Sequence, residues 1–206
     1  DGNDLLSSMT DPMAGTVITT YDQSGRVVTF TDAGGNVTVN GYDALGRLTS
    51  VTDPLGNVWS TAYDLEGVIS SRTNPLGNSM TFTSDMMGRT TQITSPLGSI
   101  SEISYDAVGL ISTSTDPLGN VTTFNRDATG FLSGIVLSGS FSTSYTRNQL
   151  GQIHTVTDPN GNNWDRTYDS GGRLITSSDP LGNLATVSYN NRNMISVLTY
   201  PAAMGT

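Results

Sequence analysis

The chain has 206 residues, a formal net charge of −9, 35% hydrophobic and 13% charged residues, and no cysteine. All nine cations are arginine, and an acidic surface without lysine is the wrong footprint for a nucleic-acid backbone or a polybasic membrane anchor. Without thiols there are no disulfides or thiolate metal sites, and no apolar run reaches the roughly 18 residues of a membrane-crossing helix. From the first copy onward, one period organises the elements. Pro12, Pro54, Pro75, Pro96, Pro117, Pro159, Pro180 and Pro201 are separated only by multiples of 21 residues. A fixed period of this length marks a repeat array. A residue type that recurs at one phase of such an array is architectural before it is catalytic.

The copy at residues 42–57 carries two D-x-x-G units, and most other copies follow it. The first kind follows a tyrosine: Tyr21-Asp22 to Gly25, then Tyr42-Asp43 to Gly46, with Tyr63, Tyr105, Tyr168 and Tyr189 heading later copies. The second kind contains the proline, as in Asp53-Pro54-Leu55-Gly56 and Asp116-Pro117-Leu118-Gly119. Asp at the first position of a type I turn accepts hydrogen bonds from the backbone ahead of it, and Pro presets φ at the second. Gly at the fourth supplies the positive φ of the bulge that closes a short hairpin. Where the first Asp is lost, Asn148 and Asn190 replace it and can cap the same turn.

Between these turns lie segments of six or seven residues rich in Thr, Val, Ile and Tyr, which read as strands bounded by turn signals. One copy is therefore one β-hairpin, and the copies join into a continuous antiparallel meander. Down the columns, Leu6, Val27, Leu48, Ile69, Ile111, Leu132, Ile153, Leu174 and Ile195 form an apolar row that only Thr90 interrupts. A threonine ladder precedes the second turn. Equivalent side chains on neighbouring hairpins bury one another, and each hairpin needs its neighbours because a lone one is marginal in water. The columns at Leu48 and Val51 fall on opposite faces of an ideal strand. Both faces are expected to be partly covered, with the strip coiled so that one face meets a lumen or a second layer.

The consensus Tyr-Asp-x-x-Gly-Arg-Leu followed by Thr-Asp-Pro-Leu-Gly-Asn, nearly complete over residues 42–57, resembles the YD repeat, or Rhs repeat. That repeat is found in bacterial Rhs proteins, the encapsulating component of toxin complexes, and teneurins. The resemblance implies an all-β fold in which tandem 21-residue hairpins form a sheet that spirals into a hollow shell or superhelical tube. It implies a non-enzymatic, extracellular or cell-surface wall enclosing polypeptide. The alternative is an open superhelical fibre or adhesive stalk built from identical chains, which the unbroken 21-residue spacing favours. Bacterial relatives carry a self-cleaving segment with a D-P-x-G motif. Here that motif recurs as a turn, so proteolysis is not carried over. The whole of residues 1–206 is expected to be one array. It opens on a motif Asp and stops within a repeat, which predicts an excerpt of a longer polypeptide.

Residues with other chemistry are few. His154 stands alone in a Ser/Thr column, without the partners of a zinc site or a nucleophile motif. Glu66 and Glu102 occupy different phases of the repeat, whereas a glycosidase needs two carboxylates about 5–10 Å apart. Recurrent Asp in Gly-rich turns admits calcium as a possible cofactor, although calcium β-rolls use a nine-residue repeat; turn capping is the competing role. Asn36-Val37-Thr38 and Asn120-Val121-Thr122 match the glycosylation pattern. Trp59 and Trp164 share a phase and suit either packing on the sheet or stacking against glycans. Around Leu137-Ser138-Gly139-Ser140-Phe141 the turn loses Asp and Pro, and Arg126 and Arg147 replace tyrosine. This is a place for a partner contact or simple repeat decay.

Overall fold

The computed structural model describes residues 5–11, 15–138 and 141–200, so Pro12, Pro201 and the Gly139-Ser140 part of the irregular turn lie outside the described residues. Those described contain nineteen strands and no helix. They divide between two compact units, Asp1–Ser101 and Glu102–Thr206. In the first unit, strands such as Val37–Tyr42, Leu48–Thr52, Val58–Tyr63 and Ile69–Thr73 each pair antiparallel with their chain neighbours. The second unit repeats the pattern, as in Val121–Arg126, Asn163–Tyr168 and Leu174–Ser178. β-branched residues favour this pleated, half-buried setting, and the turns on each side leave no length for a helix.

The register carries a feature that local pattern does not show. Hairpins closed by the proline-containing turn pair without interruption: Thr52 opposite Val58, Val51 opposite Trp59, Ser50 opposite Ser60. Hairpins closed by the tyrosine-headed turn contain a bulge beside the tyrosine. Gly41 faces Ser50, but Tyr42 faces Leu48; the same shift stands at Tyr21, Tyr63, Tyr105, Tyr168 and Tyr189. Gly41, Ser50 and Ser60 thus lie level across three strands, whereas the residue equivalent to Gly41 in the next copy is Ala62. Each copy is displaced by two residues along the strand, about 6.6 Å at ~3.3 Å per residue, for two strands or about 9.6 Å across the sheet. That slope corresponds to a strand tilt of about 35°, at the lower end of the range found in closed sheets.

Cross-strand pairs also assign the two faces. In the first unit Phe30, Val51, Trp59, Arg72, Met80, Phe82 and Ile93 follow one another on one face through successive pairings. In the second unit the equivalent face carries Phe124, Ile135, Tyr145, Val156 and Trp164. The opposite face is a ladder of smaller, mostly hydroxylated residues: Thr29, Val39, Gly41, Ser50, Ser60, Ala62, Ser71 and Thr81 in the first unit. The Leu48 column does not oppose the Val51 column as an ideal strand would require. Ile69, Arg72, Phe82 and Thr90 line one cavity, because a bulge places one extra residue in the strand and turns its side chain toward the bulky face. Among the described residues no apolar side chain is fully buried. The fold is a single layer with a bulkier face and a face of smaller residues.

Candidate functional site

The recurring functional element is the junction between copies, and it is built from the turns outward. In the proline-containing turn, the Gly56 N–H donates to the Asp53 carbonyl (3.0 Å) and the Asp53 N–H to the Asn57 carbonyl (2.9 Å). This is a type I turn closed by a glycine bulge. Pro54 sits where no N–H is needed, and Gly56 has φ +82°. Asp53 Oδ1 accepts from the Leu55 and Asn57 N–H groups at 2.9 and 2.8 Å, and its Oδ2 from Asn57 Nδ2 at 2.8 Å. Asp116 makes the same three bonds with Leu118 and Asn120, beside Pro117 and Gly119 at φ +83°. The Asn57 side-chain amide, with backbone donors behind it, holds the Asp53 carboxyl below its ordinary range despite partial desolvation. Asn120 acts likewise on Asp116.

In the tyrosine-headed turn the fifth position is arginine, and its side chain reaches further. Asp43 Oδ1 accepts from the Leu45 and Arg47 N–H groups at 3.0 and 2.9 Å, while Arg47 Nε donates to Oδ2 at 2.7 Å. Asp22 holds Arg26 in the same way, with Nε at 2.6 Å, and Gly25 and Gly46 supply positive φ. Backbone N–H donation from Arg26 and Arg47, aided by the guanidinium, lowers the pKa of Asp22 and Asp43. Each guanidinium then lies over the tyrosine of the following copy: Arg26 over Tyr42 at 4.8 Å, Arg47 over Tyr63 at 4.4 Å and Arg173 over Tyr189 at 4.6 Å. The phenol reaches back to the preceding copy. Tyr42 donates to the Val27 carbonyl, Tyr63 to Leu48, Tyr21 to Leu6, Tyr168 to Ile153 and Tyr189 to Leu174, all between 2.8 and 3.0 Å. Tyr105 stands at the same bulge opposite Ile111. Each complete junction adds a phenol hydrogen bond of about 1 kcal/mol net and a cation–π contact of about 0.5–1 kcal/mol to the backbone ladder.

Two irregular copies depart from this pair, and one of them inverts it. Leu110 stands at an arginine position and Arg126 at the next tyrosine position, yet Arg126 Nε still lies 3.5 Å from Asp106 Oδ2. One copy later Phe131 takes the arginine position and Arg147 the tyrosine position, and the guanidinium lies over the ring at 5.2 Å. Arginine and aromatic exchange places while the contact persists. The exchange is imperfect, because Arg147 Nε and Nη1 are buried without a hydrogen-bond partner.

The isolated candidates resolve into strand and turn positions. His154 Nδ1 lies 2.7 Å from the Arg166 carbonyl across a strand pair. Glu66 sits at the exposed tip of the Asp64–Gly67 turn, and Glu102 lies within the strand Ile100–Tyr105. The Asn36 and Asn120 amides donate to Asp32 and Asp116 inside their own turns. Trp59 and Trp164 sit opposite Val51 and Val156 on the bulky face, 45% and 37% exposed. The coupling of each arginine to the next tyrosine was missed by sequence reasoning, although the recurrence of Arg or Asn directly after the turn glycine was its visible signal.

Comparison with known proteins gives one family and one fold. The sequence model of the family described as Teneurin YD-shell matches residues 6–200. Among solved structures, the crystal structure of TcdB2-TccC3-TEV superposes with a TM-score of 0.69 at 18% identity, over 95% of this chain and 12% of that one. TcdB2-TccC3 without its hypervariable C-terminal region gives 0.69 at 19% identity, over 94% of this chain and 12% of the other. A Photorhabdus luminescens Tc holotoxin pore gives 0.64 at 18% identity, over 90% and 12%. The chain therefore spans about an eighth of the length of these structures. No curated protein matches.

Proposed function

The chain belongs to the teneurin YD-shell family, and on that premise we propose that it is a structural, non-catalytic wall segment of an extracellular or cell-surface shell that encloses polypeptide. The observation that carries this reading is the single-layer sheet, in which no apolar side chain of the described residues is fully buried. A globular domain needs a second layer. A wall needs only its neighbours and its contents. The repeated two-residue stagger supports coiling, since a sheet whose strands advance in one direction tilts as closed sheets do. Small residues such as Gly41, Ser50 and Ser71 on one face, with Phe82 and Trp59 on the other, favour the hydroxylated face as concave, where side chains crowd. A lumen lined with Ser and Thr holds an unfolded chain without trapping it on apolar surface.

Electron microscopy of the native protein, combined with limited proteolysis, tests the proposal. Closed hollow particles containing a protease-protected polypeptide are the expected result. The uniform 21-residue spacing favours one rival, an open superhelical fibre or adhesive stalk in which identical chains associate. Long uniform tubes with no protected polypeptide would establish it instead.

A further inference from the structure

We infer that the bulky face of the first unit carries a binding site for an acidic glycan, a sugar chain bearing carboxylates, centred on Trp59 and Arg72. Trp59, Arg72, Asn74, Asn78, Met80 and Pro96 line an open cavity of about 310 Å³, at the small end of ligand sites and matched to a sugar ring or two. Arg72 also lines a second cavity of about 270 Å³ with Ile69, Phe82 and Thr90. The two hollows share Arg72, with Trp59 lining the first and Phe82 the second.

Three departures from the repeat coincide here. The position of Arg72 is Phe30 and Val51 in the preceding copies and Ile93 in the next. Its guanidinium has no ion pair among the described residues, whereas Arg26, Arg47 and Arg89 each hold an Asp. Second, the turn Asp becomes Asn74, which still accepts from the Leu76 and Asn78 N–H groups. Lacking the second carboxylate oxygen, it leaves the Asn78 amide out of the bond that Asn57 makes with Asp53. Third, the following turn begins with Ser95 in place of Asp. Two successive proline-containing turns of the first unit are therefore neutral, beside a cation without an ion pair.

These groups suit a sugar acid. The 45% exposed Trp59 indole offers a flat apolar surface with a polar edge; the Asn78 amide presents a donor and an acceptor to ring hydroxyls, and Asn74, whose Oδ1 is held by its turn, a donor. Arg72 offers a planar fork to a carboxylate. An acidic peptide fits less well, because the backbone groups of these strands are engaged in the ladder and cannot add another strand. Trp164 is an internal control. Its surroundings carry Ser177, Asp179 and Ala185 where Trp59 has Arg72, Asn74 and Met80.

The test is titration of the 206-residue chain with trigalacturonate, a neutral maltotriose and a short polyglutamate, followed by calorimetry. Trigalacturonate is expected to bind at least about tenfold more tightly than maltotriose, the value of one charge-assisted bond. Trp59→Ala and Arg72→Gln should each weaken it by about tenfold or more, while Trp164→Ala leaves it unchanged. Asn74→Asp restores the majority turn; it should keep or raise the melting temperature and still weaken binding, which separates recognition from folding. Equal binding of polyglutamate, equal loss from Trp164→Ala, insensitivity to Arg72→Gln, or no binding of trigalacturonate would each overturn the site. None of these results depends on whether a lumen exists.

Discussion

Gly46 and Gly56 allow the junction to be weighed against the turn, because they share a conformation and differ in surroundings. Their φ values are +83° and +82°. A Cβ at Gly56 meets nothing within 4 Å, whereas one at Gly46 lies 2.6 Å from Arg26 Nη1. Gly56→Ala should therefore cost only left-handed backbone strain, about 1–2 kcal/mol. Gly46→Ala carries the same strain and also pushes Arg26 off the Tyr42 ring, adding about 0.5–1 kcal/mol. Urea unfolding followed by circular dichroism measures both, treated as a nearest-neighbour array rather than one cooperative block. In an Arg26→Ala background the excess at Gly46 should vanish, closing a double-mutant cycle. Equal costs in the parent chain, or an excess that survives removal of Arg26, would refute the Arg–Tyr junction as an energetic link.

Acid should weaken the array in a defined window. Asp22, Asp43, Asp53, Asp116 and Asp169 all have folded pKa values lowered by hydrogen-bond donors. Their stabilisation is present above the ordinary Asp value near 3.8 and is lost as pH falls through the lower folded values. Thermal melts should be flat from neutrality to about pH 5 and fall steeply below about pH 4; a decline beginning near pH 6 would point to another group. Restoring the inverted junction with Phe131→Arg and Arg147→Tyr should recover or exceed parental stability, although each single change destabilises, with a coupling of about 1 kcal/mol. Strict additivity would contradict the exchange. Since Asp53 and Asp116 use both carboxylate oxygens within their turns, chelation at neutral pH should leave the melting temperature unchanged. A drop reversed by added calcium would show a metal role for those turns.

The hairpin period was legible in the sequence because its causes are local. A proline that presets φ before Leu55, and a glycine at position 56 free to adopt φ +82°, act within one turn. A five-residue stretch such as Leu48–Thr52 then has few options beside a strand. Column reading shows which residues are equivalent; it does not show which are opposite. That depends on register, and the register contains a bulge at each tyrosine-headed hairpin that no single copy announces. Tertiary pairing alone brought Phe82 into one cavity with Ile69 and Arg72, laid Arg47 on Tyr63, and let Arg147 and Phe131 exchange roles. These contacts join separate segments of the chain, so their energy is set by how neighbouring segments dock and not by the preferences of either one.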